Sequence, residues 1–141
     1  MHILIWKIDN QFYAVDLSVV DFIFLAAAVT PLPQAPDDVL GALNIHGQIV
    51  PVINMRKLLD VAPKEIDIKD HFVLVHLHQR ALILWVDRVD RVKLCSEEEL
   101  LSAHEHLPDL KAVDYVLNEE GKMILLYDLE KLIPSHAALV V

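Results

Sequence analysis

The chain states one pattern twice. Asn44-Ile45-His46-Gly47-Gln48-Ile49-Val50-Pro51-Val52-Ile53-Asn54-Met55-Arg56-Lys57-Leu58-Leu59 returns 74 positions later as Asn118-Glu119-Glu120-Gly121-Lys122-Met123-Ile124-Leu125-Leu126-Tyr127-Asp128-Leu129-Glu130-Lys131-Leu132-Ile133. Asn, Gly, the apolar run, the Asn/Asp and the closing hydrophobic pair hold their places. Such a repeat in 141 residues argues for two similar small units, and small duplicated β units are far more often binding surfaces than active sites. A fainter echo precedes it. Val15-Asp16 and Val86-Asp87 each end a β run, 71 positions apart, and His2 to Ile8 resembles Phe72 to His78 in hydrophobic character.

Strand signals dominate between the repeats. In His2 to Ile8, the side chains of Leu4, Trp6 and Ile8 share one face and those of Ile3 and Ile5 the other, which predicts a strand buried on both sides. Asp9-Asn10-Gln11 turns the chain into Phe12 to Val15. Asp16 to Asp21 reads as one or two short helical turns, with Asp16 placed as their cap. Pro31, Pro33 and Pro36 then break regular structure, because each residue before a proline avoids the α region. Asp37 to Gly41 reads as a brief helical turn before a strand from Ala42 to Ile45. His46-Gly47 is a tight turn into a strand from Gln48 to Ile53, and Asn54 caps a short helix from Met55 to Leu59. Strands follow at Phe72 to Leu77, Ala81 to Val86 and Val89 to Leu94, and Ser96 with Glu99 forms a capping box for a short helix through Ser102. The pattern closes with Ala112 to Leu117, a turn at Glu120-Gly121, Lys122 to Leu126, and a helix begun by Asp128. No apolar pattern sustains a helix of ten or more residues. Two small, mostly antiparallel barrels fit best, over residues 1–65 and 66–141 with the first strand shared, since closure removes the free edges of so apolar a sheet.

Composition restricts the partners. Apolar residues make up 55% of the chain and the formal net charge is −9, a field that opposes a phosphate backbone and makes nucleic acid an unexpected partner. Cys95 is the lone cysteine, which leaves no intrachain disulfide framework or thiolate zinc cluster. The apolar start Met1 to Trp6 is interrupted by Lys7 and Asp9 and lacks a basic leader, so neither a signal peptide nor a membrane span is expected. A reduced cytoplasmic setting is the expectation.

Catalytic patterns are missing. Ser18, Ser96, Ser102 and Ser135 sit in no nucleophile elbow, and Cys95 has no redox motif beside it. The glycines, three in all, are too dispersed for a phosphate cradle or a dinucleotide fingerprint. His76 and His78 share a strand face, and His104-Glu105-His106 offers further ligand types. Without a zincin spacing, these histidines read as solvated polar side chains rather than metal ligands. A metal-dependent hydrolase is the remote alternative; no cofactor and no enzymatic activity are expected.

The repeat core Asn44 to Arg56 resembles the signature Asn-Leu-Arg-Gly-x-x-x-Pro-Val-x-Asp-Leu-Arg of the CheW-like family of chemotaxis coupling proteins. Thr30-Pro31-Leu32-Pro33 with Ala35-Pro36, and Val86-Asp87-Arg88-Val89, fall in the family's order, so the resemblance covers nearly the whole chain. It implies two intimately packed five-stranded SH3-like barrels with short helices, and a noncatalytic adaptor. Its implied partners are a chemoreceptor's cytoplasmic hairpin tip and the regulatory domain of a chemotaxis histidine kinase. The chain looks like the stand-alone coupler, recruited to membrane-associated receptor arrays without inserting into the membrane.

The resemblance also assigns surfaces. Kinase contact is expected near Gly41 and Gly47, and receptor contact in a groove between the barrels, at Val20, Phe22 and His46. Arg56 is expected to fasten backbone carbonyls or to meet a groove carboxylate, and Asp16 and Asp87 to cap turns. Three departures stand out. His46 takes an Arg place, Asn54 an Asp place, and Phe22 the Glu place of a Val-x-Glu-Ile motif. Loss of a donor fork and a carboxylate alters partner choice, so the alternative is a divergent one-partner scaffold or inhibitory module.

Overall fold

The structure, a computed structural model, describes residues 1–107, 110 and 112–133. Ser135 lies outside them. The strands in chain order are β1 (His2–Ile8), β2 (Gln11–Asp16), β3 (Val20–Leu25), β4 (Val39–Ile45), β5 (Gln48–Asn54), β6 (His71–Leu77), β7 (Arg80–Val86), β8 (Arg88–Leu94), β9 (Leu101–Ser102), β10 (Val113–Glu119) and β11 (Lys122–Tyr127). Three one-turn helices accompany them: α1 (Met55–Leu58), α2 (Ala103–His106) and α3 (Leu129–Leu132).

The repeat is a structural unit, a hairpin followed by a capped helical turn. His46 and Gly47 take φ of 52° and 84° between β4 and β5, and Glu120 and Gly121 take 52° and 80° between β10 and β11. Both pairs have the left-handed backbone that matches strand twist in two-residue hairpins. The Asn/Asp position then caps the helix: Asn54 Oδ1 accepts from Lys57 N at 3.2 Å, and Asp128 Oδ1 accepts from Glu130 N at 3.0 Å.

The sheets do not follow the repeat boundary. One sheet has the order β8-β1-β2-β11-β10-β9 and the other β3-β6-β7-β5-β4. The two sequence units therefore exchange their first hairpins. Hairpin β1-β2 lies in parallel register beside β11, and hairpin β6-β7 beside β5. A division at residue 65 is not the division between sheets, because each sheet takes strands from both sides of it. The two-barrel expectation also needs correction. The sheets are mixed, with six and five strands, and neither closes by a strand ladder between its outer strands. Each sheet carries an apolar cluster of its own.

Among the described residues, three of the four apolar clusters bear on the site, the fourth being Ala103, Val113 and Val116. Leu4, Trp6 and Ile8 of β1 pack between the sheets with Val73, Val75, Leu82 and Leu84. Ile3 and Ile5, on the opposite face, join Ala14, Leu117, Ile124 and Leu126 inside the six-stranded sheet. The first strand is thus apolar on both faces because both faces are core. Inside the five-stranded sheet, Val52, Phe72, Leu74, Ile83 and Trp85 form the third cluster.

Three local expectations change. The helical turn after Asp16 ends at Val19, and Val20 and Asp21 begin β3 instead of extending it. Residues 37–38 form a turn rather than a helical turn, and β4 starts at Val39. The capping box of Ser96 and Glu99 is present, but its helix is only the 3-10 turn Glu97–Glu99, followed by β9 and α2. Among the described residues no helix is long and apolar enough to cross a membrane.

Candidate functional site

Strand β3 is an outer strand of the five-stranded sheet, and its pairing with β6 carries a bulge. Val20 faces Val75 and Phe22 faces Leu74, with Asp21 as the extra residue. Strand parity therefore changes between Val20 and Phe22. Val20 packs against the core between the sheets. Phe22, 67% exposed, turns the other way, into a groove of about 270 Å³ lined by Phe22, Ile23, Phe24, Ile45, His46 and Leu74. The groove bridges the sheet's two outer strands, β3 and β4, and Leu74 links it to the apolar cluster behind. An exposed aromatic beside Ile23 and Leu25, both also exposed, is the kind of surface that contacts other macromolecules.

The structure thus brings Phe22 and His46 together and separates Val20 from both. The groove they share lies on the face of the five-stranded sheet that carries its own apolar cluster, opposite the face packed between the sheets. Ile23, Ile45 and Leu74 complete it. The apolar run Phe22 to Leu25 is the signal that could have found Ile23, but Ile45 and Leu74 lie on other strands and no residue pattern joins them to it.

Gly41 and Gly47 have different environments. Gly41 is buried in β4, where a Cβ would lie 2.2 Å from Thr30 O. Only glycine allows the paired bonds Thr30 N to Ala42 O, 3.1 Å, and Ala42 N to Thr30 O, 2.9 Å. Gly47 is exposed, and a Cβ there would meet no atom within 4 Å. Asn44 Oδ1 fixes its turn by accepting from Gly47 N at 2.8 Å.

Arg56 is 3% exposed and sits at the junction of the sheets. Its Nη1 donates to Ala62 O at 2.7 Å, and its Nη2 to Asp9 Oδ1 at 2.6 Å and Asp87 Oδ2 at 2.8 Å. Burial works against the charge, but the two carboxylates outweigh it and hold the guanidinium pKa above its ordinary value. Arg56 thus bonds one backbone carbonyl and two carboxylates at once, none of them in the groove of Phe22 and His46. Asp87 further accepts from Asp9 N at 2.8 Å, so it ties the β1-β2 turn to the β7-β8 junction. Asp16 caps its 3-10 turn by accepting from Ser18 N at 3.0 Å.

Lys64 extends this network, 2.8 Å from Asp70 and 3.6 Å from Asp87. Asp70, itself buried, accepts from Trp85 Nε1 at 2.9 Å. Residue pattern alone did not single out Asp9, Lys64, Asp70 or Trp85. A buried carboxylate with a buried indole is visible only after the sheet register is known.

His76 contacts Asp21, and His78 Nε2 lies 3.1 Å from Ile133 O. His104, Glu105 and His106 are exposed on α2. Among the described residues no group of three or more His, Cys, Asp or Glu side chains is arranged to hold a metal ion.

Residues 2–137 match the family model described as CheW-like domain. "Chemotaxis protein CheW" of Klebsiella aerogenes is 30% identical over 136 residues, covering 94% of this chain and 81% of that protein. The protein of the same name from Rhizobium meliloti is 26% identical over 141 residues, covering 95% and 88%. The crystal structure of the scaffolding protein TtCheW from Thermoanaerobacter tengcongensis is similar in fold, with a TM-score of 0.85 at 21% identity, over 96% of this chain and 94% of that one.

Proposed function

This chain belongs to the CheW-like domain family, and on that premise we propose how its surfaces serve a noncatalytic adaptor that links chemoreceptors to histidine kinases. The observation that carries this reading is a match to that family over nearly the whole chain. In this reading the two sheets correspond to the family's two SH3-like barrels. The adaptor works in the cytoplasm and is recruited to membrane-associated receptor arrays by its partners.

The receptor contact is a cytoplasmic hairpin tip that meets the groove holding Phe22 and His46, with Val20 supporting β3 from behind. Helical hairpins present apolar side chains to such grooves, and Phe22 supplies an aromatic anchor. The kinase contact is the regulatory domain, docked at the turn of Gly47, where the missing side chain permits close backbone approach. Gly41 acts indirectly, by holding β4 against Thr30 so that the turn projects. Arg56, Asp9 and Asp87 keep the two sheets in one fixed relation, which an adaptor with two faces requires.

Co-sedimentation of the folded chain with a receptor cytoplasmic fragment and a kinase regulatory domain tests this. A ternary complex supports the reading. Binding of one partner alone would replace it by the one-partner scaffold, and binding of neither would remove it.

A further inference from the structure

Strand β3 places Val20 to Phe24 against the shorter span Phe72 to Val75 of β6. Both ends of this mismatch are anchored. Val20 packs on the core between the sheets, and Phe24 meets Phe72 edge-on, with ring centroids 5.8 Å apart. One residue between them must be extra, and which one decides where Phe22 points. If the extra residue were Phe22 or Ile23, Asp21 would oppose Leu74 and point into the groove in place of Phe22.

The extra residue is Asp21, and its carboxylate meets His76 Nδ1 on the neighbouring strand. His76 and Leu74 are two apart on β6, so both face the groove side. We propose that the Asp21–His76 contact is a positioning device: it fixes the bulge at Asp21 and thereby aims Phe22 into the groove beside His46. Neither residue needs to touch the receptor. The proposal rests on the reading that Phe22 is part of the receptor-contacting surface.

The test is binding of a soluble chemoreceptor cytoplasmic hairpin fragment to five folded proteins. These are wild type, Phe22→Ala, Asp21→Ala, the Phe22→Ala/Asp21→Ala double variant, and the exchange variant Asp21→His/His76→Asp. Phe22→Ala should weaken binding about tenfold, the scale of an interface anchor. Asp21→Ala should match it, the double variant should be no weaker than Phe22→Ala alone, and the exchange should recover most of the affinity. A purely structural lesion would not be restored by exchange. Unchanged binding by Asp21→Ala beside a weakened Phe22→Ala overturns the positioning role and leaves the receptor surface standing. Additive losses also overturn it, because Asp21 would then be an independent contact. Unchanged binding by Phe22→Ala removes both the surface and the device that aims it.

Discussion

Arg56 Nη2 lies 2.8 Å from Asp87 Oδ2 and 3.0 Å from Asp87 Oδ1, joining the helix after β5 to the point where the chain crosses from β7 into the other sheet. Breaking a buried ion pair costs about 3–5 kcal/mol. Asp9 and Asp87 retain side-chain exposures of 51% and 22%, so the carboxylates left behind can be hydrated. Arg56→Ala should therefore cost about 2–3 kcal/mol. Arg56→Lys should recover less than half, because an ammonium cannot serve Ala62 O and two carboxylates in the same planar geometry. Urea unfolding measures both; a loss below about 1 kcal/mol for Arg56→Ala would contradict the junction role.

The two glycines should separate stability from binding. Gly41→Ala forces a methyl against Thr30 O and should destabilise by about 1–3 kcal/mol. Gly47→Arg meets open space, so its folding cost should be about 1 kcal/mol from left-handed backbone alone, while kinase association falls. Equal destabilisation by both, or unchanged kinase association with Gly47→Arg, would contradict the division.

Exchange of hairpins predicts that neither half stands alone. Residues 1–65 lack the β6-β7 hairpin that lies between β3 and β5, and their β1-β2 hairpin lacks its neighbours β8 and β11. Fragment 1–65 should show no cooperative unfolding and little amide protection. A folded, protected 1–65 fragment would show that the sheets can be completed without exchange.

Acid should expose the buried carboxylate. Burial by itself raises the Asp70 pKa, but Lys64, the Asp67 amide and the Trp85 indole outweigh it and hold it below the usual carboxylate value. A pKa depressed in the folded state contributes stability that is complete above the unfolded value of about 3.9 and is lost as pH falls through it toward the folded value. Asp70→Asn should lower stability at neutral pH and flatten the decline below about pH 4. An acid limb parallel to that of the wild type would assign the decline to other carboxylates.

Much of the fold could be read from short-range rules. Gly47 and Gly121 marked hairpin turns, Asn54 and Asp128 marked helix caps, and the two apolar faces of His2 to Ile8 announced a strand inside the core. Which hairpin joins which sheet depends on long-range pairing, and two similar units offer either choice. The groove was half visible. Phe22 and His46 stood out as departures from a family pattern, but a one-residue bulge set Val20 on the opposite face. The helix leucines show the same limit: Leu58 and Leu132 are only half-buried, while Met55 and Leu129 fill the core. A single helical turn does not fix its rotation from sequence. Truncating Met55 to Ala should therefore cost more than Leu58→Ala, within the range of about 2–5 kcal/mol for a buried site.

The most direct test is histidine kinase autophosphorylation in a reconstitution containing receptor signalling fragments, kinase and this chain. Kinase output should come under receptor control only when the folded chain is present, and lose that control with Phe22→Ala. Receptor control that is the same with and without the chain would contradict the adaptor account.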